Sequence, residues 1–505
     1  MRRLKAYLPV LLVLCALQTA ALAQDLASFE KRVHIKKLPN GLTVLLLQRP
    51  QAPVFSFFTV VDAGDAQDPT GKTGLAHMME HMAFKGTMNI GTTNITSETE
   101  ALAKVEVAYA NYDRENNHRV NRDEKKIAEL KTAWEEARKE ADQYVIKNEF
   151  GEIIERNGGV GLNASTGEDS TQYFYSLPAN RLELWAYLES DRFLHPVMRE
   201  FYKERDVVME ERRMRTDSSP TGRLVEQFLS EAFDGSPYHR PSIGYSSDLR
   251  HFSATDASDF FKTYYVPSNM VVAVVGDLDA DKTFAVIEKY FGRIPSGPKP
   301  EEYITAQTKQ NSERRVVLHD PSQPFYIEGY QKPNYLDKDD VVYSVISSVM
   351  SEGRTSRLYR SLVRDKKVAV AAAGFSGFPG DKYRNLYAFY AVPSQGRKAG
   401  EMADAIHEAI DKLKTEGVSA DELKMVKTRS KAALLRSLAN NQGLAINLAQ
   451  NQLKYGDWRE LFRRIDKIDA VTNEDVKRVA NEIFIDSNRT VGVMETQGAS
   501  KEAQR

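Results

Sequence analysis

The chain has a single cysteine among 505 residues, Cys15. That excludes an internal disulfide framework and any metal site built from several thiolates. Neither sign of charge is in excess, since 69 Lys and Arg stand against 70 Asp and Glu. A near-neutral chain gives no electrostatic reason to expect nucleic acid as a partner. Beyond residue 23, no apolar run reaches the roughly 18 residues that a membrane-spanning helix requires. Glycine and proline are missing from Thr92 to Phe150, and 21 of the residues 101–150 are charged. Without these turn-formers the stretch favours long, solvated helices. Histidine is scarce, nine in all, so any clustering of it carries weight.

The N-terminus reads as a leader. Met1-Arg-Arg-Leu-Lys5 is basic, Ala6 to Ala20 is mostly apolar, and Ala21-Leu22-Ala23 precedes Gln24. This basic, apolar, small-x-small order predicts a signal peptide cleaved after Ala23; the apolar run is short for an anchor helix. Cys15 follows Leu14, where a lipoprotein signal needs a small residue. The mature chain is expected to be soluble and exported, to the periplasm if the leader is bacterial.

Two strand-like runs, Leu42 to Leu47 and Val54 to Val61, lead to glycines at 64, 71 and 74, where a helix should begin. Ile127, Leu130, Trp134, Ala137, Ala141 and Tyr144 recur at alternating spacings of three and four, the seam of a helix packed on another. This predicts a protruding helical hairpin within about 102–156. The chain also repeats itself. Pro267-Ser-Asn-Met270-Val-Val-Ala-Val274 follows an amphipathic segment, and Asp486-Ser-Asn-Arg489-Thr-Val-Gly-Val493 does so 219 residues later. Val44 to Pro53 and Val316 to Pro324 match as strand-then-turn segments. The expected class is α+β, with two similar halves, each a largely antiparallel sheet packed with helices. The halves are placed at 24–297 and 313–505, joined by a linker over 298–312.

The chemistry concentrates in His77-Met-Met-Glu80-His81. On a helix, His77 and His81 share one face and can grip one metal ion, with Glu80 placed to take a proton from water there. In a chain of this composition the pattern is expected by chance only about 0.02 times. An incidental amphipathic helix is therefore a poor explanation. Two histidines need a third protein ligand. In the run from Phe201 to Arg215, Glu204 and Glu211 are seven apart and share a helix face. Either could bind the metal while the other supports a histidine or the water. Gly276-Asp-Leu-Asp279 reads as a strand-ending turn, since further calcium ligands are missing. His239 reads as a loop residue that could line the cleft.

Taken together, the sequence resembles the inverted-motif zinc peptidases of the pitrilysin, insulin-degrading enzyme and mitochondrial processing peptidase family. Four segments carry the resemblance: the histidine motif followed by Phe84-Lys-Gly-Thr87; Gly158-Gly-Val-Gly-Leu-Asn163-Ala164; Glu204 with Glu211; and Tyr265-Val-Pro-Ser-Asn-Met270 running to Val275-Gly-Asp277. The resemblance implies one zinc ion per chain on His77, His81 and Glu211. It implies Glu80 as general base and Glu204 as supporting acid. Asn163 and Ala164 would lie on an edge strand to which a substrate backbone adds. Arg364 would help hold the substrate carbonyl from the second half, but Val370 stands where the family carries a tyrosine, and valine offers no donor.

The activity implied is hydrolysis of short or unfolded peptides by an exported zinc metalloendopeptidase, in a homodimer or a heterodimer with a related chain. Two alternatives stand beside it. One is a non-catalytic or partner-dependent subunit of a heterodimeric peptidase, which Val370 favours. The other is a metal-storage protein, which would have no use for Glu80.

Overall fold

The structure, a computed structural model, describes residues 26–302 and 304–496. The leader expected at residues 1–23 lies outside them. The first sheet is built from β1 (Val33–Lys37), β2 (Thr43–Gln48), β3 (Val54–Val61), β4 (Val160–Thr166), β5 (Thr171–Pro178) and β6 (Met270–Gly276). Their spatial order is β1-β2-β6-β3-β5-β4. The second sheet contains β7 (Arg314–Asp320), β8 (Phe325–Lys332), β9 (Ala369–Phe378), β10 (Asn385–Pro393) and β11 (Arg489–Thr496), ordered β7-β11-β8-β10-β9. Leaving out β1, the two orders are the same. Each sheet has one parallel pair, β2 with β6 and β7 with β11, and is otherwise antiparallel. Even the register repeats. Thr43 faces Val271 and Arg314 faces Thr490, and 271 and 490 are 219 residues apart. The fold is α+β with two similar halves, as the sequence repeat predicts.

Each half lends the other a helix. β6 is apolar and buried along its whole length, which requires cover on both faces. Val272 and Val274 pack into the core of the first half, around Phe57 and Trp185. Val271, Ala273 and Val275 pack on Leu444, Ala445, Leu448 and Ala449 of the helix Asn441–Tyr455, which belongs to the second half. In return, the helix Pro220–Ala232 of the first half lays Leu224, Phe228 and Leu229 against Ile327, Leu386 and Met494 of the second sheet. A Cβ at Gly329 would stand 3.0 Å from the Phe228 ring and one at Gly492 3.2 Å from it, so glycine lets that helix approach closely. The described residues of the segment between the halves form no regular element, yet the segment is pinned. Gln307 accepts from the Asp234 backbone at 3.0 Å, and Gln310 donates to the Arg489 carbonyl at 2.7 Å.

The helical hairpin is present, as helices Ile95–Asn116 and Glu124–Asp142, followed by Glu149–Arg156. It starts earlier than the sequence suggested, because the Asn94 side chain accepts from the Ser97 backbone and caps the first helix there. Its tip is exposed, with Val120 at 78%. Its base is part of the core rather than a protrusion. Trp134 packs against Tyr109, Tyr112 and Tyr202 at ring-centre distances of 5.2–5.4 Å. The Arg205 guanidinium lies over Tyr109 and Tyr202 at 5.0 and 4.9 Å. The hairpin is thereby fastened to the helix Phe201–Arg212. Replacing Trp134 by Ala is expected to lower the free energy of unfolding by about 3–5 kcal/mol in a denaturant titration. A loss below about 1 kcal/mol, the range of an ordinary surface change, would show the hairpin to be a surface appendage.

Candidate metal centre

The helix Leu75–Met82 carries the histidine motif. Gly74, at φ 94°, has no side chain with which to cap it, and a Cβ there would stand 2.7 Å from the Ile243 carbonyl. The cap comes instead from Asp68, whose carboxylate accepts from the Gly74 and Ala76 backbone at 2.6 and 2.9 Å. Burial pushes the Asp68 carboxyl up to about 7, against the pull of those same bonds. Leu75, Ala76, Met78, Met79 and Met82 turn into the core, which leaves His77, Glu80 and His81 on the opposite stripe.

The two imidazoles stand 4.8 Å apart and nearly perpendicular, at 86°. Glu211 faces both. Its Oε2 lies 3.7 Å from His77 Nε2 and 3.5 Å from His81 Nε2. Ligands bound tetrahedrally to zinc at 2.0–2.1 Å are separated by roughly 3.3–3.4 Å, so Glu211 is already close to the required spacing from each histidine, and the three donors all lie within 4.8 Å of one another. Among the described residues, His77, His81 and Glu211 are the group of histidines and acids that could hold a metal ion. The donor chemistry fits zinc as well. Burial, with His81 and Arg215 nearby, lowers His77 to about 3, so the ring is neutral and its lone pair free.

Glu204 sits on the other side of His81. Its Oε1 is 2.8 Å from His81 Nδ1, and Lys85 Nζ is 2.5 Å from the same carboxylate. Burial opposes the charge on Glu204, but bonding to His81 and Lys85 outweighs it and brings the carboxyl down to about 2. An ionised Glu204 makes Nδ1 the donor and turns Nε2 toward the metal position. Glu80 is raised by burial, with hydrogen bonds from Thr166 pulling the other way. A carboxylate raised in this way is a better base than one in water.

Residues 43–126 match the family model described as insulinase (peptidase family M16), and residues 251–430 match that of the peptidase M16 inactive domain. The chain belongs to peptidase family M16. It is 28% identical to the zinc protease PqqE of Helicobacter pylori over 463 residues, covering 90% of each chain. A chain from Arabidopsis thaliana, named probable mitochondrial-processing peptidase subunit beta, is 23% identical, with 91% of this chain and 78% of that one covered. The crystal structure of a protease from Helicobacter pylori superimposes with a TM-score of 0.77 at 27% identity, over 92% of this chain and 99% of that one. The peptidase M16 inactive domain from Pseudomonas fluorescens, at 15% identity and a TM-score of 0.73, covers 93% of this chain and 99% of that one and shares the fold.

In this M16 chain, Asn163 and Ala164 lie on β4, at the edge of the first sheet. Asn163 is exposed and its side chain accepts from the Ala164 backbone at 2.9 Å, while Ala164 turns inward. Thr166, which bonds Glu80, ends the same strand. Arg364 is paired within its own segment. The segment Tyr359–Asp365 buries Leu362 and leaves Arg364 outside, 55% exposed and paired with the adjacent Asp365 at 2.6 Å. Val370 is 58% exposed. His239 closes a short turn with its Nδ1 2.7 Å from the Ser236 carbonyl and does not line the cleft. Asp279 caps the helix Ala280–Phe291, which accounts for the strand-ending turn after β6.

A cleft of about 420 Å³ opens from His77 past Thr166 and Glu168, and the second half contributes Phe378 and Pro379 to it. Asp169 holds that contribution in place, accepting from the Asp381 and Lys382 backbones at 2.7 and 3.0 Å and from the Tyr238 hydroxyl at 2.5 Å. Sequence reading missed Asp68, Lys85, Asp169, Phe378 and Pro379. Lys85 lay inside a quoted motif and was the one that a spacing argument could have found, four residues beyond His81. Replacing Glu204 by Ala should weaken zinc binding about 10–100-fold, measured against a chromophoric chelator. Unchanged affinity would show that Glu204 does not orient His81.

Proposed function

We propose that this chain is an exported zinc metalloendopeptidase that cuts short or unfolded peptides. The observation that carries the reading is the convergence of His77, His81 and Glu211 within 4.8 Å of one another, with Glu80 one position from His81 and in contact with the edge strand. Relatives named zinc proteases support the choice of metal and reaction. Zinc held by these three side chains would polarise the scissile carbonyl and lower the pKa of water to about 7. Glu80, raised by burial, takes the proton of the attacking water and hands it to the departing amine. Glu204 keeps His81 in the tautomer that presents Nε2. A substrate laid along β4 is held by its backbone, which favours extended chains over folded ones. Export rests on the leader-like residues 1–23, and pairing into a dimer on the need to close the cleft.

A partner-dependent subunit is the second reading. Arg364 is exposed and paired with its neighbour Asp365, Val370 offers no donor, and residues 251–430 match an inactive-domain model. One experiment separates the two. The purified chain is given a quenched unstructured peptide beside its Glu80→Gln variant. The peptidase reading expects turnover by the wild type, lost on chelation and restored by zinc, and a fall of about 10²–10⁴-fold in the variant with zinc still bound. Zinc binding without turnover in either protein would favour the subunit reading.

A further inference from the structure

A second cavity, also about 420 Å³, opens between the hairpin helices on one side and the helices Phe201–Arg212 and Ala254–Tyr264 on the other. Leu102, Val145, Val197, Met198, Phe201 and Ala254 give it an apolar lining. The volume lies within the range of small-molecule sites, roughly 300–1,000 Å³.

The charged groups on its wall, Asp142 apart, are already engaged. Glu98 bonds Arg199 at 2.5 Å and Lys203 bonds Glu200 at 2.5 Å. Glu106 accepts from the hydroxyls of Tyr202 at 2.5 Å and Thr255 at 2.8 Å. Arg138 lies 5.0 Å over the Trp134 ring, Lys262 is 3.3 Å from Asp259, and Asp142 is exposed to solvent. A charged ligand would have to break one of these pairings beside apolar side chains, whereas an uncharged one leaves them intact.

The same wall leads to the metal centre. Glu200, at φ 55° just before the helix Phe201–Arg212, lies 3.7 Å from Lys85, which is bonded to Glu204, which is bonded to His81. Arg199 donates to the Lys85 carbonyl at 2.7 Å. A molecule pressing on Glu200 or Arg199 therefore acts on the groups that orient His81.

We propose that this cavity binds an uncharged, apolar small molecule and that its occupancy changes how firmly the centre holds zinc. The second part rests on the metal reading given above. The test is a fluorescence titration of the purified chain with N-phenyl-1-naphthylamine, an uncharged apolar probe. Expected is saturable binding at one site, weakened at least about 10-fold by Ala103→Trp and by Ser258→Trp, which fill the cavity from opposite walls. Unchanged circular dichroism of both variants shows that they fold. Zinc-loaded and zinc-free protein should differ in probe affinity by about 5-fold or more, and zinc affinity should shift by the same factor when the probe is present.

Absence of saturable binding, or binding that survives both substitutions, overturns the site. Displacement of the probe by an unstructured peptide assigns the cavity to a peptide segment and overturns the small-molecule assignment. Equal probe affinity with and without zinc, in protein that takes up zinc, overturns the coupling. A chain that takes up no zinc overturns the metal reading and the coupling with it, while the titration still decides the cavity.

Discussion

The metal centre rests on the register between two helices from distant parts of the chain. Leu75–Met82 supplies both histidines, and Phe201–Arg212 supplies Glu204 and Glu211. His81 is held from both sides, Glu204 at Nδ1 and Glu211 at Nε2. A slip of one helical turn, about 5.4 Å, would undo both contacts. Arg199 is what forbids the slip. It is fully buried, immediately before the second helix, and bonds the carbonyls of Lys85, Thr87 and Ile90 in the loop leaving the first. Glu98 of the hairpin neutralises it at 2.5 Å. A buried ion pair of this kind adds little net stability, but losing one partner is costly, so it specifies one arrangement against its neighbours.

The exchange of helices gives the metal-free half a structural task. Without Asn441–Tyr455, the apolar back of β6 would face water, and without Pro220–Ala232 the second sheet would lose its cover. The first half therefore requires the second irrespective of any chemistry. The same arrangement brings Phe378 and Pro379 to the cleft. The second half reaches the cleft through the end of a strand.

The sequence carried a good deal of this, for identifiable reasons. The histidine motif was legible because ligand spacing on a helix is local, and Glu204 with Glu211 because seven residues make two turns. The two-half design was legible because β6 and β11 repeat with the same pairing register. What stayed hidden depends on contacts far apart in sequence. The seam of the hairpin was visible, but its anchorage on Tyr202 and Arg205 was not, since nothing in periodicity names the partner surface. Arg364 was assigned by position in a motif, and its surroundings are decided by packing, in which Leu362 takes the buried place. Asp169 gave no local signal, because its partners are the Tyr238 hydroxyl, 69 residues away, and backbone groups more than two hundred residues away.

The width of the cleft is set where the two sheets meet. Thr166 bonds Glu80 at the end of β4, and three residues later Asp169 grips the turn that carries Phe378 and Pro379. The base, the edge strand and the opposite wall are thus connected through one short turn of the first sheet. On the reading proposed above, a substrate would lie along β4, where a helix about 10 Å across finds no backbone partner. An extended strand offers free backbone groups to β4 that a helix has already spent on itself. On that reading the open sheet edge would favour a chain without secondary structure before any side chain of the substrate is read.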